Sequence, residues 1–353
     1  MSHKPKALFR AIDKIRSHQQ LPDLNEFASL ITAGDRAAMA MAFTFLESTR
    51  DEHYQFALQL LSRYESNQNE TFRIGITGVP GVGKSTLIEA LGLHYLKEGH
   101  KVAVLAVDPS SPVSGGSILG DKTRMQQLSM QDHAFIRPTA AAKALGGVAH
   151  ETKLAILLCE MAGYDRIIVE TVGVGQSEVA VHSMTDMFVL LMLAGAGDQL
   201  QGIKRGIIEL CDAMVITKSD GDNISAAHRA KAEYLGALHL IAPKGNGWIP
   251  EIVNSSALDH QGISEVVTLL AKFKNYIYER NLIAANRHIQ DLHWLESEVR
   301  DLVFRRWMKD QKNFHLDALS AAHRSAASKL LELIAEVTGS SEVPSNHKPN
   351  LTS

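Results

Sequence analysis

Phe72-Arg-Ile-Gly-Ile-Thr-Gly78-Val-Pro-Gly81-Val-Gly83-Lys84-Ser85-Thr86 is the stretch that decides the fold. It begins as a short apolar run rich in β-branched residues and ends in G-x-x-x-x-G-K-[ST]. Leu87 to Tyr95 after it carry helical spacing, so the whole reads as strand, phosphate loop and helix. Glycines let the backbone from Gly78 through Val79, Pro80, Gly81 and Val82 to Gly83 curl until its N–H groups face phosphate oxygens, helped by the helix N-terminus. Lys84 is then placed to reach the β- and γ-phosphates. The Ser85 hydroxyl is placed to ligate Mg²⁺, and Thr86 leads into the helix.

Three later segments have the form such a loop needs. Ile167-Ile-Val-Glu170 ends a strand in an acid followed by Thr171-Val172-Gly173, an E-x-x-G where GTPases usually show D-x-x-G. A carboxylate at that place can hold Mg²⁺ directly or through water, and Gly173 lets a backbone N–H approach the γ-phosphate. Val215-Ile216-Thr217-Lys218-Ser219-Asp220 matches [NT]-K-x-D. Asp220 can accept from guanine N1–H and the exocyclic amine, while the Lys218 stem covers the base. Adenine offers no such donor pair. Asn254-Ser255-Ser256-Ala257-Leu258 follows the last strand, where a backbone N–H from Ser256, Ala257 or Leu258 can meet guanine O6. Each motif is common in isolation. Their order, each at the C-terminal end of an expected strand, is what ligand binding in a parallel α/β sheet requires.

The remaining chain agrees with an α/β class: a P-loop NTPase with a mostly parallel sheet, helices on both faces and helical extensions at both ends. Short strand-like runs at Phe72–Thr77, Val102–Val107, Ile167–Thr171, Met187–Leu193, Ala213–Thr217 and Ile252–Asn254 alternate with helical patterns. Residues 1–66 read as a helical region, with Asp23 and Asp35 placed as N-caps and Gly34 as a stop. Residues 67–275 read as the G domain and 276–338 as a helical arm able to dimerise. The Ser/Pro/Asn-rich tail 339–353 is expected to be disordered. Leu8, Phe9, Ile12 and Ile15 give the basic first twenty residues the pattern of a solvated amphipathic helix. No apolar signal core or small-residue cleavage site follows.

Composition excludes several other classes. With 353 residues, 45% hydrophobic, a packed chain of about two domains is expected. Lys+Arg 36 against Asp+Glu 39 gives a net charge of −3, which provides no general field for nucleic acid or an anionic membrane. The longest uncharged apolar run, Met187 to Gly197, is eleven residues, against about 20 needed to span a bilayer. Cys159 and Cys211 sit in apolar segments and read as buried thiols of a reducing, cytoplasmic protein. The 16 histidines form no H-x-x-x-H pair with a matching acid, so no zinc or nickel site is expected. His94 and His150 read as helix-surface or partner residues, Trp294 and Trp307 as anchors of the C-terminal helices.

Longer strings carry a resemblance to a family. Ala106-Val-Asp108-Pro-Ser-Ser-Pro112, Gly115-Gly-Ser-Ile-Leu-Gly-Asp121-Lys-Thr-Arg-Met125, Glu170-Thr-Val-Gly-Val-Gly-Gln-Ser-Glu178 and Leu200-Gln201-Gly-Ile-Lys204 resemble signatures of the MeaB/ArgK G proteins, called MMAA in animals. The resemblance implies a GTPase that escorts adenosylcobalamin-dependent methylmalonyl-CoA mutase, gating cofactor loading and protecting or reactivating it. It also implies Mg²⁺ contacts from Ser85, Asp108, Asp121 and Glu170. Asp198, Gln201 and Lys204 are implied as a further switch that senses nucleotide and touches the mutase. From the residues alone, Asp121 reads rather as the N-cap of a helix over Lys122–Met130. Thr217 stands where the family more commonly has Asn, which leaves base reading to Asp220. Two alternatives stay open: a metallochaperone GTPase for a nickel enzyme, separable by metal binding, and a small-molecule or transport-linked kinase, separable by nucleotide preference.

Overall fold

The computed structural model describes residues 21–48, 50–64, 71–108, 125–140, 147–171, 177–194, 205–239, 244–257 and 261–310. The expected N-terminal amphipathic helix, the polar stretch 65–70 and the tail lie outside them. The chain divides into two compact units, Met1–Trp294 and Leu295–Ser353.

In the first unit seven parallel strands form one sheet: β1 (Phe72–Gly78), β2 (Val102–Asp108), β3 (Ala134–Ala140), β4 (Arg166–Thr171), β5 (Met187–Leu193), β6 (Ala213–Thr217) and β7 (Glu251–Asn254). Their order is β3-β2-β4-β1-β5-β6-β7. β1 lies between β4 and β5, and the chain leaves it toward both sides, which puts the crevice for a ligand beyond its C-terminal end. Six of these strands match the expected runs. β3 does not, because Arg137 and Pro138 break its apolar pattern. Its edge position explains the tolerance: only one side of β3 is paired, so a proline can be accommodated.

Alternation along each strand sends side chains into two cores. Phe72, Ile74 and Ile76 of β1 join Val104, Ile168 and Val189 against Leu87, Ile88 and Leu91 of α4 (Lys84–Lys97). Leu105, Val169, Leu190 and Ile216 fill the other face with Leu154, Ile156 and Leu158 of α6 (Gly147–Met161). The N-terminal helices α1 (Leu24–Thr32), α2 (Arg36–Leu46) and α3 (Asp51–Leu61) add Phe27, Phe43, Phe45 and Phe56 to that second core. The Asp23 carboxylate accepts from the Asn25 and Glu26 amides at 2.9 Å. Asp35 accepts from Ala37 and Ala38 at 2.9 and 2.8 Å, so both expected caps are made, each contributing about 1 kcal/mol. The helices α5 (Gln126–Ser129), α7 (Ser177–His182), α8 (Arg205–Leu210), α9 (Ile224–His239), α10 (Ile263–Glu279) and α11 (Leu282–Asp310) complete the described set. None is long and apolar enough to cross a membrane.

The N-terminal edge of the sheet is tied by buried charge. Arg73 of β1 donates from Nε and Nη2 to the two oxygens of Glu160 on α6, at 2.7 and 2.9 Å. Arg287 of α11 donates to both oxygens of Asp186 at 2.7 and 2.6 Å, and also to the Thr71 hydroxyl and carbonyl. The Arg73 amide completes Asp186 at 2.8 Å. Burial penalises the Arg287 charge, yet hydrogen bonds and charge from Asp186 and Glu160 lift its pKa further above the ordinary guanidinium value. Higher on α6, His150 departs from its surface reading. It is buried, meets the Tyr54 hydroxyl through Nε2, and stacks on Trp294 with ring centroids 5.5 Å apart. Cys159 and Cys211 are buried free thiols, and burial pushes the Cys211 thiol up to about 12.

In the second unit, Leu295, Val299 and Val303 of α11 are exposed at 51–56%, a row at four-residue spacing.

Candidate functional site

At the C-terminal edge, β1 turns into the phosphate loop at Gly78. A Cβ there would lie 2.7 Å from the Leu191 carbonyl oxygen of β5, a backbone contact that cannot yield, so only glycine fits. Gly83 caps α4 at φ 103°, a left-handed angle costly to any other residue, and no side chain closes this helix end. The first-turn N–H groups of α4 therefore remain directed at the loop, as anion binding needs. Lys84 is buried, and its Nζ donates to the Gly78 and Val79 carbonyls at 2.7 and 3.3 Å. The ammonium thus lies folded over the loop that a triphosphate would occupy.

One helical position on, the Ser85 hydroxyl donates to Glu170 Oε1 at 3.2 Å. Glu170 is 5% exposed and sits on the α4 side of β4, as strand alternation from Ile168 dictates. A hydroxyl and a carboxylate at this separation, beside a phosphate loop, are hard oxygen donors. They suit a Mg²⁺ that keeps several waters and takes phosphate oxygens for the rest. Among the described residues no three His, Cys, Asp or Glu side chains gather into a metal site of their own. Asp108 is the last residue of β2, and its backbone pairs with Ala140. Its side chain lies outside what is described, as do Asp121, Gly173, Asp198, Gln201, Lys204 and Leu258.

The segment Thr217 to Asp220, expected to read the base, stands beside the loop. Val82, Gly83, Thr86 and Leu87 on one side and Thr217, Lys218, Asp220, Ser255, Ser256 and Ala257 on the other line a cavity of about 80 Å³. Ser256 donates from its hydroxyl to Asp220 Oδ2, which fixes the carboxylate while leaving lone pairs for a ligand. Lys218 holds φ 54°, a left-handed value uncommon outside glycine. The Ser219 hydroxyl donates to the Ile216 carbonyl at 2.8 Å, closing the turn. Thr217 does more than tolerate the place of an Asn. Its hydroxyl lies 2.6 Å from the Val82 carbonyl and 3.1 Å from that of Met192, so it pins the end of β6 to the phosphate loop. That role, and the lining by Ser255 and Leu87, was not read from the motifs. The Asn254-Ser255-Ser256 string was the signal for Ser255, and nothing local signals the partner of Thr217.

A phosphate loop with its lysine, a hydroxyl–carboxylate contact beside it and an aspartate at the end of β6 facing a cavity are features of a P-loop GTPase, which hydrolyses GTP. The chain belongs to the family described as Methylmalonyl Co-A mutase-associated GTPase MeaB, which matches residues 39–312. It is 50% identical over 279 residues to a putative GTPase of Caulobacter vibrioides, covering 79% of this chain and 85% of the relative. The mouse Methylmalonic aciduria type A homolog, mitochondrial, is 47% identical over 283 residues, covering 77% of this chain and 68% of that protein. Among solved structures, an LAO/AO transport system kinase superimposes with TM-score 0.70 at 34% identity, over 91% of this chain and 100% of the other.

Proposed function

We propose that this GTPase is a Mg²⁺-dependent chaperone of adenosylcobalamin-dependent methylmalonyl-CoA mutase. In this reading it gates cofactor loading and protects or reactivates that enzyme. The match to the MeaB family over residues 39–312 carries the client assignment. The contact between Ser85 and Glu170 carries the cation assignment. Bound there, Mg²⁺ supplies positive charge that neutralises the β- and γ-phosphate oxygens. Ser85 and Glu170 hold it, joined in the family pattern by Asp108 and Asp121. Lys84 exchanges its carbonyl partners for phosphate oxygens, and the loop amides and the start of α4 position the γ-phosphate for in-line attack by water. Asp220 selects guanine, with Thr217 keeping its strand seated on the phosphate loop. The sequence offers no residue placed like an efficient water-orienting Gln, so slow turnover until a partner completes the arrangement is expected.

The switch around Asp198, Gln201 and Lys204 is assigned to the mutase contact. Adding the organism's methylmalonyl-CoA mutase is expected to raise GTP turnover by about tenfold or more, as a supplied charge does in other GTPases. Lys204→Ala is expected to lose most of that stimulation. Linkage requires the reverse effect as well: GDP and a GTP analogue must change the affinity for the mutase. No stimulation, with no complex in either nucleotide state, would leave a GTPase with another client. We infer also that the chain is a homodimer, its exposed row Leu295, Val299 and Val303 covered by a second copy. Buried free thiols fit a reducing cytoplasm.

A further inference from the structure

Backbone pairing between β1 and β4 runs from Phe72↔Arg166 to Ile76↔Glu170 and ends there. One residue further the neighbouring ladders continue, with Val107 of β2 paired to Thr171 and Thr77 paired to Leu190 of β5. The gap in that row, between β4 and β1, is closed by side chains. The Thr171 hydroxyl donates to the Thr77 hydroxyl at 2.9 Å, and both residues are 0% exposed. Thr77 immediately precedes Gly78, where the phosphate loop starts, and Thr171 immediately follows Glu170. By strand alternation the two hydroxyls lie on the face opposite Ile76 and Glu170, so neither can reach the phosphate loop's own side of the sheet.

Packing does not account for this pair. Valine has nearly the same shape and equal preference for strands, and it buries no hydroxyl that must find a partner. The two hydroxyls are therefore a cost to an apolar core unless their mutual bond serves something. What that bond fixes is the offset between two strand ends, one launching the phosphate loop that leads to Ser85 on α4 and the other carrying Glu170. The Ser85–Glu170 contact is 3.2 Å, long for a hydroxyl–carboxylate bond, so small changes in that offset decide whether the two oxygens stay within reach of one cation.

We propose that Thr77 and Thr171 form a positioning couple for GTP hydrolysis, holding Glu170 in register with Ser85 through a hydroxyl bond that continues the sheet past the end of its β1–β4 ladder. The inference rests on the reading of Ser85 and Glu170 as the cation pair. Its test uses the full chain with Thr171→Val, Thr171→Ser, Thr77→Val and the double valine variant. Readouts are kcat and KM for GTP, melting temperature, and the Mg²⁺ concentration that tightens binding of a fluorescent non-hydrolysable GTP analogue. Thr171→Val is expected to lower kcat about tenfold and to raise that Mg²⁺ concentration by a similar factor, with analogue affinity at saturating Mg²⁺ unchanged. Thr171→Ser, which keeps the hydroxyl, is expected to stay within about twofold of wild type. The double valine variant leaves no buried donor without a partner, so it regains melting temperature but not kcat. It also keeps the test open if a single variant fails to fold. Wild-type kcat and Mg²⁺ dependence in folded Thr171→Val, or recovery of kcat in the double variant, would overturn the positioning role. Unchanged turnover in Glu170→Gln would instead remove the cation reading beneath it.

Discussion

The two ends of β1 are built on opposite plans. At its C-terminal end, the phosphate loop and the first turn of α4 rely largely on backbone groups, with side chains of β4 and β6 brought alongside them. Lys84 bonds carbonyls five and six residues back, and Gly83 leaves a helix end uncapped. At its N-terminal end, Arg73, Glu160, Asp186 and Arg287 form a set of buried, paired charges whose bonded partners lie 87 to 113 residues apart. The first end keeps polar groups available to a ligand. The second spends them on one another and anchors the start of α11 to the sheet. Chemistry and anchorage are thus separated along one strand by the length of seven residues.

Substitutions should respect that separation. The largest effect is expected from Asp186→Ala, which takes from the buried Arg287 guanidinium its two carboxylate bonds and leaves those to Thr71. Breaking such a pair costs about 3–5 kcal/mol, read as a loss of midpoint in chemical denaturation, while the folded fraction keeps its GTP turnover. A variant as stable as wild type would mean that the network is not what holds this edge. Next, Lys84→Ala should leave the denaturation midpoint nearly unchanged and lower turnover by at least about a hundredfold, since it removes a charge aimed at the developing negative charge of the transition state. Near-normal hydrolysis would show that the segment does not hold phosphate. The smallest of the three is Asp220→Ala. Loss of hydrogen bonds to a charged acceptor should weaken GTP binding by about 1.5–3 kcal/mol and erode selectivity over ATP. Equal affinity of the wild-type protein for both nucleotides would contradict the assignment of Asp220 at its root.

The same contrast explains what could be read before the structure. The phosphate loop, the ends of β4 and β6 and the caps Asp23 and Asp35 are local patterns, in which spacing along the chain already determines geometry. The ion network is not local. Arg73 sits in an apolar strand and Glu160 near the end of a helix, and nothing near either in sequence names its partner. His150 illustrates the same limit, since its partners Tyr54 and Trp294 come from distant helices. β3 was hidden for a different reason, the proline that its edge position permits. At the site, Thr217 was legible as a variant of a motif, but its bond to Val82 spans 135 residues and emerges only when β6 is laid beside the phosphate loop.

Glu170 is the one carboxylate among the described residues that meets Ser85, and the proposed cation site stands or falls with it. Glu170→Gln preserves shape and the hydrogen bond from Ser85 while removing the negative charge a cation needs. GTP turnover measured across a Mg²⁺ titration, with nucleotide affinity measured in parallel, is the direct test. The expected result is a fall in turnover of about a hundredfold or more, with nucleotide still bound and the Mg²⁺ requirement shifted upward. Turnover equal to wild type at limiting Mg²⁺ would contradict the assignment and remove Glu170 from the site.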